Sequence, residues 1–466
     1  MGLLGRSRIW YILPNKQCSR SKEASAMPDV KLQYGKGTVR LAVPDGARVL
    51  EPRFAPGLPD ERAAVLDALR QPIGCRPLDE ILRPGDDVCV VVPDRTRPLP
   101  TSRLVAWIKE ATAAIPGLRL FFLVGTGAHQ PSTPDERAEL LGPGTPGADH
   151  DARDTANLEL VGHTGSGLAV WLNHRYVRAD RRITISLLEP HFFAGFSGGP
   201  KAVVPGIAGL DTILNIHSAR LIGHPATTWG RVEDNPVQTD IAEACALLPP
   251  DLSINVAINR RREIVGVFAG DVRLAHRQGC GFVGDLALCP VDHPFPIVIT
   301  TNGGWPLDQN LYQTVKGLSA AARILAPGGC IVAASECRLG LPAGGFASML
   351  RSAATPEELL AEILARPDTR ADQWQAQVLC SILQRATVFL YSSLGVAEVT
   401  GAFLQPVASV QEGLEQAMRH LAKGGETPSL PRGSSSESRL MKAWTKQEKP
   451  IAVLPQGPFT LPYVRS

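Results

Sequence analysis

The sequence lacks the features that define several common protein classes. It has no C-x-x-C pair, and its nine cysteines are scattered, which indicates reduced thiols in a cytoplasmic protein. No apolar run approaches the roughly 18 to 20 residues of a membrane-spanning helix. The formal net charge is only +3, too small to predict a nucleic-acid surface. We therefore expect a small-molecule partner, with no nucleic-acid or membrane partner.

What the chain does contain favours an α/β fold. Its 466 residues are 44% hydrophobic and 20% charged, which is typical of two or three globular domains. The 44 glycines and 39 prolines fit many turns between strands and helices. Short β-rich runs alternate with helical patterns and predict largely parallel sheets. The candidate strands are residues 87–92, 118–124, 157–161, 182–187, 253–259, 297–301, 330–334 and 387–391.

Prolines around residue 290 break the helical pattern and predict a domain boundary there. We expect two α/β domains, 28–290 and 291–466, each with a mainly parallel sheet flanked by helices, and an active site in the cleft between them. Residues 1–27 are expected to be a disordered extension, and the polar segment 432–438 a flexible loop. Capping boxes predict three helix starts, at Thr133, Thr355 and Ser409.

The densest functional pattern is the glycine-rich peptide 189–209, which follows the predicted strand 182–187. Ligands of open α/β sheets bind beyond the carboxyl ends of strands, although such a peptide can also be a turn that only guides the chain. Gly195 to Gly199 matches the G-x-S-x-G elbow of serine hydrolases, with Ser197 as nucleophile. The distance from the strand and the proline at 200 disfavour an elbow. A phosphate loop is excluded, because Ala202 stands where the hydroxyl residue is needed.

Three histidines are candidates for chemistry. His129 and His191 each follow a predicted strand, so their imidazoles could face one ligand as acid and base, although each alone could be structural. His217 falls on a helical apolar stripe that runs from Leu210 to Leu221 and should point inward. It is either a core histidine or a metal ligand. Because no H-x-x-x-H pattern accompanies it, a metal there would take most of its ligands from a cofactor.

Polar groups could complete a carboxylate-binding site. Asp94 and Arg97 follow the strand 87–92, and Arg97 could bind a carboxylate through two N–H groups or form a surface ion pair. Tyr312, Gln313 and Lys316 form a polar helical stripe, which is either a solvated face or a second substrate wall.

Together, the segments 94–98, 125–129, 189–209 and 312–316, with His217 and Trp374, resemble the nickel-dependent lactate racemase family over about residues 28–425. The resemblance implies a nickel-pincer nucleotide, pyridinium-3-thioamide-5-thiocarboxylic acid mononucleotide, bound covalently to Lys201. His217 resembles the protein ligand of nickel. Asp94, Gly198 and Gly199 are the other residues expected around the cofactor.

The resemblance also implies a reaction. The enzyme would invert C2 of a 2-hydroxy acid, lactate or a larger analogue, by reversible hydride transfer through a 2-keto acid. His129 and His191 resemble the paired bases, and Arg97 and Lys316 the groups that hold the substrate carboxylate. Further pocket residues are Tyr312, Gln313 and Trp374. Maturation would need cofactor-biosynthesis enzymes. The alternatives are a serine hydrolase using Ser197 and a non-catalytic carboxylate-binding α/β protein.

Overall fold

The computed structural model describes residues 29–342, 344–423 and 450–465. The expected extension at 1–27 and the expected loop at 432–438 lie outside these residues. The predicted α/β class is confirmed, with mainly parallel sheets flanked by helices. Along the described part of the chain, no helix combines the length and hydrophobicity needed to span a bilayer.

The described residues form twenty strands and fifteen α-helices. The strands are β1 (Asp29–Tyr34), β2 (Gly37–Ala42), β3 (Arg48–Val49), β4 (Asp87–Pro93), β5 (Arg119–Gly125), β6 (Gly147–Asp149), β7 (Leu158–His163), β8 (Ala169–Asn173), β9 (Arg181–Leu187), β10 (Pro190–His191), β11 (Gly195–Phe196), β12 (Leu252–Ile258), β13 (Ile264–Gly270), β14 (Leu288–Val291), β15 (Phe295–Thr301), β16 (Leu325–Ala334), β17 (Ala386–Tyr391), β18 (Gln405–Pro406), β19 (Ile451–Leu454) and β20 (Leu461–Val464). The helices are α1 (Glu61–Arg70), α2 (Leu78–Ile81), α3 (Thr101–Thr112), α4 (Pro134–Leu141), α5 (His174–Val177), α6 (Leu210–Ile216), α7 (Ala219–Ile222), α8 (Pro236–Ala246), α9 (Val272–Ala287), α10 (Leu311–Ala322), α11 (Gly345–Ser352), α12 (Pro356–Ala365), α13 (Gln373–Leu383), α14 (Val396–Gly401) and α15 (Val410–Lys423).

The first of two compact units contains residues 54–217 and 225–286. Its six-stranded sheet has the order β13-β12-β9-β4-β5-β6, and only the β12–β13 pair is antiparallel. Residues 88–92 of β4 are all buried, as expected for a central parallel strand covered on both faces. The candidate strand 157–161 corresponds to β7, which pairs with β8 in a separate antiparallel hairpin.

The second unit contains residues 29–53, 218–224 and the described chain from 287 onward. Its six-stranded sheet, β18-β17-β16-β15-β19-β3, is parallel throughout. Alternate residues of β15 enter two apolar cores on opposite faces, with Val298 in one and Ile297 and Ile299 in the other. This alternation follows from the two-residue period of a strand.

This division differs from the predicted boundaries in two places. Residues 29–53 belong to the second unit because β3 pairs with β19. Residues 218–224 also belong to it, and the amide of Gln377 donates to the carbonyl of Ala219 at 2.8 Å. Near residue 290, the chain changes unit between positions 286 and 287.

Local sequence signals set the helix starts. Each of the three predicted cap residues has a hydroxyl that accepts the backbone N–H of the glutamate three positions later, which confirms Thr133, Thr355 and Ser409. In α4 the reciprocal bond of the capping box also forms, from the N–H of Thr133 to the carboxylate of Glu136 at 2.8 Å.

Candidate active site

Three neighbouring strands of the first unit end at the same edge of its sheet. β4 lies between β5 and β9, and all three are parallel. Asp94 and Arg97 follow β4, His129 follows β5, and Glu189 and His191 follow β9. Because the carboxyl ends of parallel strands meet on one side of a sheet, the fold brings the loops with these residues together.

Asp94 holds the imidazole of His129. The Nδ1 of His129 lies 2.6 Å from one carboxylate oxygen of Asp94, and Thr96 donates its backbone N–H and its hydroxyl to the other. Burial raises the pKa of Asp94, but the His129 imidazole and the Arg97 guanidinium outweigh this effect and lower it to about 2. Asp94 is therefore a carboxylate at neutral pH, and Nδ1 of His129 donates to it. In the neutral ring, the lone pair is on Nε2, where a base needs it.

Asp94→Asn is expected to lower the free energy of unfolding by about 2 kcal/mol near neutral pH. The pKa of Asp94 is about 2 in the folded protein against about 3.9 in an unfolded chain. The carboxylate therefore stabilises the fold above about pH 4, and this contribution is lost as the pH falls towards 2. Urea unfolding of both proteins across this range measures it. A difference that stays constant down to about pH 2.5 would contradict this account.

Arg97 faces a carboxylate within the same unit. Its Nη1 donates to Oε1 of Glu189 at 3.5 Å, and the two side chains are 21% and 15% exposed. A guanidinium has five N–H donors, so contact with one carboxylate oxygen is compatible with binding a second carboxylate. Glu189 was missed as a site residue. Its position directly before Pro190 and His191 was the only indication in the sequence that Glu189 belongs to the site.

The ring of Phe193 lies among three of the predicted site residues. The ring centroids of His191 and His217 are 4.4 and 5.1 Å from that of Phe193, both edge-on, and Nζ of Lys201 is 5.8 Å from it. The structure therefore brings one predicted catalytic residue, His191, together with the predicted attachment residue and the predicted metal ligand at one aromatic ring. The sequence did not reveal Phe193, because a buried phenylalanine beside Phe192 reads as an ordinary core residue.

His191 and His129 have opposite hydrogen-bonding arrangements. His191 is 6% exposed, and its Nδ1 accepts the backbone N–H of Ala194 at 3.3 Å. A nitrogen that accepts a hydrogen bond is unprotonated, so the neutral His191 ring carries its hydrogen on Nε2. With both rings neutral, His129 can accept a proton at Nε2, whereas His191 has an N–H at Nε2 that can donate a hydrogen bond.

His217 is a buried, neutral imidazole. It caps the C-terminus of α6, and its Nδ1 donates to the carbonyl of Ile213 at 2.7 Å. Burial lowers the pKa of His217 to about 3 although the bond to Ile213 opposes this, so Nε2 is unprotonated, as in metal-binding histidines. The predicted inward position is confirmed. The predicted continuous stripe is wrong, because α6 ends at Ile216 and Leu221 belongs to α7.

Lys201 lies in a 3-10 turn, Gly199–Ala202, that needs glycine before it. Gly198 and Gly199 have φ angles of +84° and +53°, and a Cβ at Gly198 would lie 2.8 Å from Oδ1 of Asn255. These φ angles, and at Gly198 the closeness of Asn255, already explain why glycine stands at both positions. The contact of these glycines with a cofactor stays a prediction.

Ser197 stabilises this peptide. Its hydroxyl donates to the carbonyl of Leu187 at 2.8 Å and accepts the N–H of Glu189 at 2.9 Å. A serine nucleophile passes its proton to a base, and a carbonyl cannot take one. The chain also continues into a 3-10 turn where an elbow requires a helix. The serine hydrolase alternative does not fit this geometry.

In the second unit, two predicted pocket residues are hydrogen-bonded. Nε1 of Trp374 donates to the hydroxyl of Tyr312 at 3.0 Å, and the Tyr312 ring packs edge-on against Phe346. Gln313 and Lys316 lie on the same helix as Tyr312, α10, and are half-buried. Contact of these side chains with a substrate stays a prediction.

The donor set matches a cofactor-borne metal better than a protein-held one. Within residues 29–342, 344–423 and 450–465, no group of three or more His, Cys, Asp or Glu side chains could hold a metal ion. A metal at His217 would therefore take its other ligands from a bound group. A neutral imidazole at His217 and the amine of Lys201 beside the same ring fit a lysine-attached, metal-carrying nucleotide.

The chain is similar to lactate racemases over both units. Residues 34–230 match the family described as lactate racemase N-terminal domain, and residues 292–436 match lactate racemase C-terminal domain. Lactate racemase from Thermoanaerobacterium thermosaccharolyticum is 32% identical over 421 residues, which cover 88% of this chain and 99% of that protein. Lactate racemase from Lactiplantibacillus plantarum is 32% identical over 419 residues, covering 87% and 99%.

The fold is also similar to those of solved structures. The lactate racemase apoprotein from T. thermosaccharolyticum superposes with a TM-score of 0.84 at 30% identity, covering 94% of this chain and all of that one. A protein from Thermotoga maritima, 18% identical, superposes with a TM-score of 0.64 and covers 88% of this chain and all of its own. At that identity it supports the fold alone.

Proposed function

Because the chain belongs to the lactate racemase family, we propose that it is a racemase or epimerase that inverts C2 of a 2-hydroxy acid. Lactate is the first substrate to test, and larger 2-hydroxy acids are the alternative. The observation that carries the proposal is the Asp94–His129 pair, which leaves a lone pair on Nε2 of His129 as a base, with His191 after β9 at the same edge of the sheet as the second proton-transfer group.

Inversion through a planar intermediate needs two proton-transfer groups. One removes the proton of the C2 hydroxyl, and the other returns a proton to the oxygen after the intermediate has presented its opposite face. His129 can take the first proton at Nε2, and the buried Asp94 carboxylate stabilises the imidazolium that forms. His191 supplies the second from Nε2 when its ring begins as the imidazolium, so the reaction starts with one ring neutral and the other protonated. Each turnover exchanges these two charge states, and the exchanged states are those that the other enantiomer needs.

We infer that Lys201 is the attachment point of a nickel-pincer nucleotide and that Nε2 of His217 ligates the nickel. When bound, this group supplies a reversible hydride acceptor, which avoids forming a carbanion at C2. The chain contributes an unprotonated imidazole nitrogen and a lysine beside the Phe193 ring. Gly198 and Gly199 remain proposed cofactor contacts, as does Asp94.

The substrate carboxylate is assigned to Arg97 and Lys316. Arg97 is held through one of its nitrogens by Glu189, which orients the guanidinium. Tyr312, whose hydroxyl accepts the N–H of Trp374, is assigned to the substrate pocket together with Trp374. We assign Gln313 to the same pocket. The cytoplasmic location and the need for cofactor-biosynthesis enzymes stay predictions.

The test uses the full chain produced together with cofactor-biosynthesis enzymes. We expect it to interconvert D- and L-lactate, or a larger 2-hydroxy acid, by chiral chromatography, and to be heavier than the bare chain by intact mass. Ser197→Ala should keep this activity. Its melting temperature should be somewhat lower, because the variant loses the two hydrogen bonds between the hydroxyl and the backbone of Leu187 and Glu189. Loss of racemisation in folded, cofactor-loaded Ser197→Ala would contradict a purely structural role of the Ser197 hydroxyl. Loaded protein that binds 2-hydroxy acids and inverts none would be a carboxylate-binding protein instead.

A further inference from the structure

Two buried polar side chains hold the turn that carries Lys201. Asn255 on β12 accepts the N–H of Gly199 through Oδ1 at 2.6 Å, and Nε2 of His276 on α9 lies 2.9 Å from the carbonyl oxygen of Ser197. Asn255 is fully buried, and His276 is 3% exposed. The turn is therefore tied to two elements that follow it by more than fifty residues in the chain.

The bond from His276 has one possible direction. A carbonyl oxygen only accepts, so Nε2 of His276 carries the hydrogen and donates it to Ser197. Burial lowers the pKa of His276 to about 4, and the bond to Ser197 opposes this, so the ring is neutral near pH 7 with a defined tautomer. The thiol sulfur of Cys280, one helical turn later, lies 3.3 Å from the same nitrogen.

The same ring also shapes the turn sterically. A Cβ on Gly199 would lie 2.5 Å from Cγ of His276 and 2.6 Å from its Cβ, so the imidazole fills the space that any side chain at position 199 would need. Gly199 also has a φ of +53°, which favours glycine. Lys201 follows two residues later in the same 3-10 turn.

We propose that His276 is a positioning residue for Lys201: by donating from Nε2 to the carbonyl of Ser197 and packing against Gly199, it sets the turn that presents the lysine amine. The value of this role to catalysis rests on the proposed function, because it assumes that Lys201 carries the cofactor. The positioning itself is a property of the chain and can be measured without a cofactor.

The experiment compares two amide replacements of His276 in full-length, cofactor-free protein. Glutamine places an amide nitrogen near the position of Nε2 and can donate to Ser197, whereas asparagine reaches only the level of Nδ1. Hydrogen–deuterium exchange over residues 198–204 and the rate of amine labelling of Lys201 are read by peptide mass spectrometry. Lys109, whose amine donates to Thr145 at 2.6 Å in the same unit, is the internal reference for labelling.

His276→Asn is expected to speed amide exchange in this segment by about tenfold or more and to change the labelling rate of Lys201 several-fold. Lys109 should not change, and His276→Gln should stay close to the original protein. His276→Leu is the second donor-less variant, should the asparagine variant not fold. Tyr176→Phe is the matched control, because it loses one buried bond to a carbonyl, that of Leu248 at 3.1 Å, elsewhere in the unit.

Three results would overturn the proposal. The exchange rate over residues 198–204 could stay unchanged in both His276→Asn and His276→Leu, or it could rise as much in His276→Gln as in those two variants. It could also rise as much in Tyr176→Phe. A failure of the proposed function would give a different set of results. In that case the wild-type chain gains no mass when produced with the cofactor-biosynthesis enzymes, while the exchange and labelling differences remain.

Discussion

Lys201→Arg is expected to leave the protein at the mass of the bare chain and to reduce racemisation to background, a loss of about a thousandfold or more. Arginine keeps the positive charge and can keep the contact with the Phe193 ring, which lies 5.8 Å from the lysine nitrogen. It cannot readily form the amide-type bond of the proposed attachment, because its guanidinium stays protonated and is a poor nucleophile. The variant therefore separates covalent attachment from charge and packing.

The measurements are intact mass, bound nickel and chiral turnover, all on protein produced with the cofactor-biosynthesis enzymes. Lys109→Arg in the same unit is the matched control and should behave like the original chain. A Lys201→Arg protein that keeps both the added mass and the activity would show that the group is attached elsewhere.

Removing either proposed acid–base histidine is expected to lower kcat by about a hundred- to ten-thousandfold in both directions. His129→Asn keeps an amide near the former Nδ1, next to Asp94, but has no atom at Nε2 to accept a proton. His191→Asn likewise loses the donor at Nε2. Both variants should retain the added mass, because neither ring holds the cofactor in our assignment. His163→Asn, on an exposed strand residue, is the control.

The two histidine variants also test the direction of the reaction. Because the two enantiomers of lactate are equally stable, kcat/KM must fall by the same factor for each, so a one-sided loss can appear only in kcat and KM separately.

Substrate deuterated at C2 should be inverted by the original enzyme with most of its label retained. Complete exchange of that label with water in each turnover would indicate proton abstraction from C2 and contradict hydride transfer.

The fold class could be predicted because its signals are local. The apolar run of β4 and the hydroxyl caps of α4, α12 and α15 act over a few residues, and the structure has all of them. The assignment of residues 29–53 to the second unit could not be predicted. It depends on β3 pairing with β19, about four hundred residues later, and short strands carry no local signal for such a partner.

For the site, the sequence by itself placed His129 and His191 after predicted strands and His217 on a helical apolar stripe, and the family resemblance of its motifs singled out Lys201. Only the tertiary structure decided the chemical state of those residues. Asp94 fixes the tautomer of His129. The other three side chains, His191, Lys201 and His217, lie against the ring of Phe193. Proton positions and side-chain contacts depend on burial and on partners that the fold brings from distant segments, so a linear pattern can nominate such residues but cannot orient them.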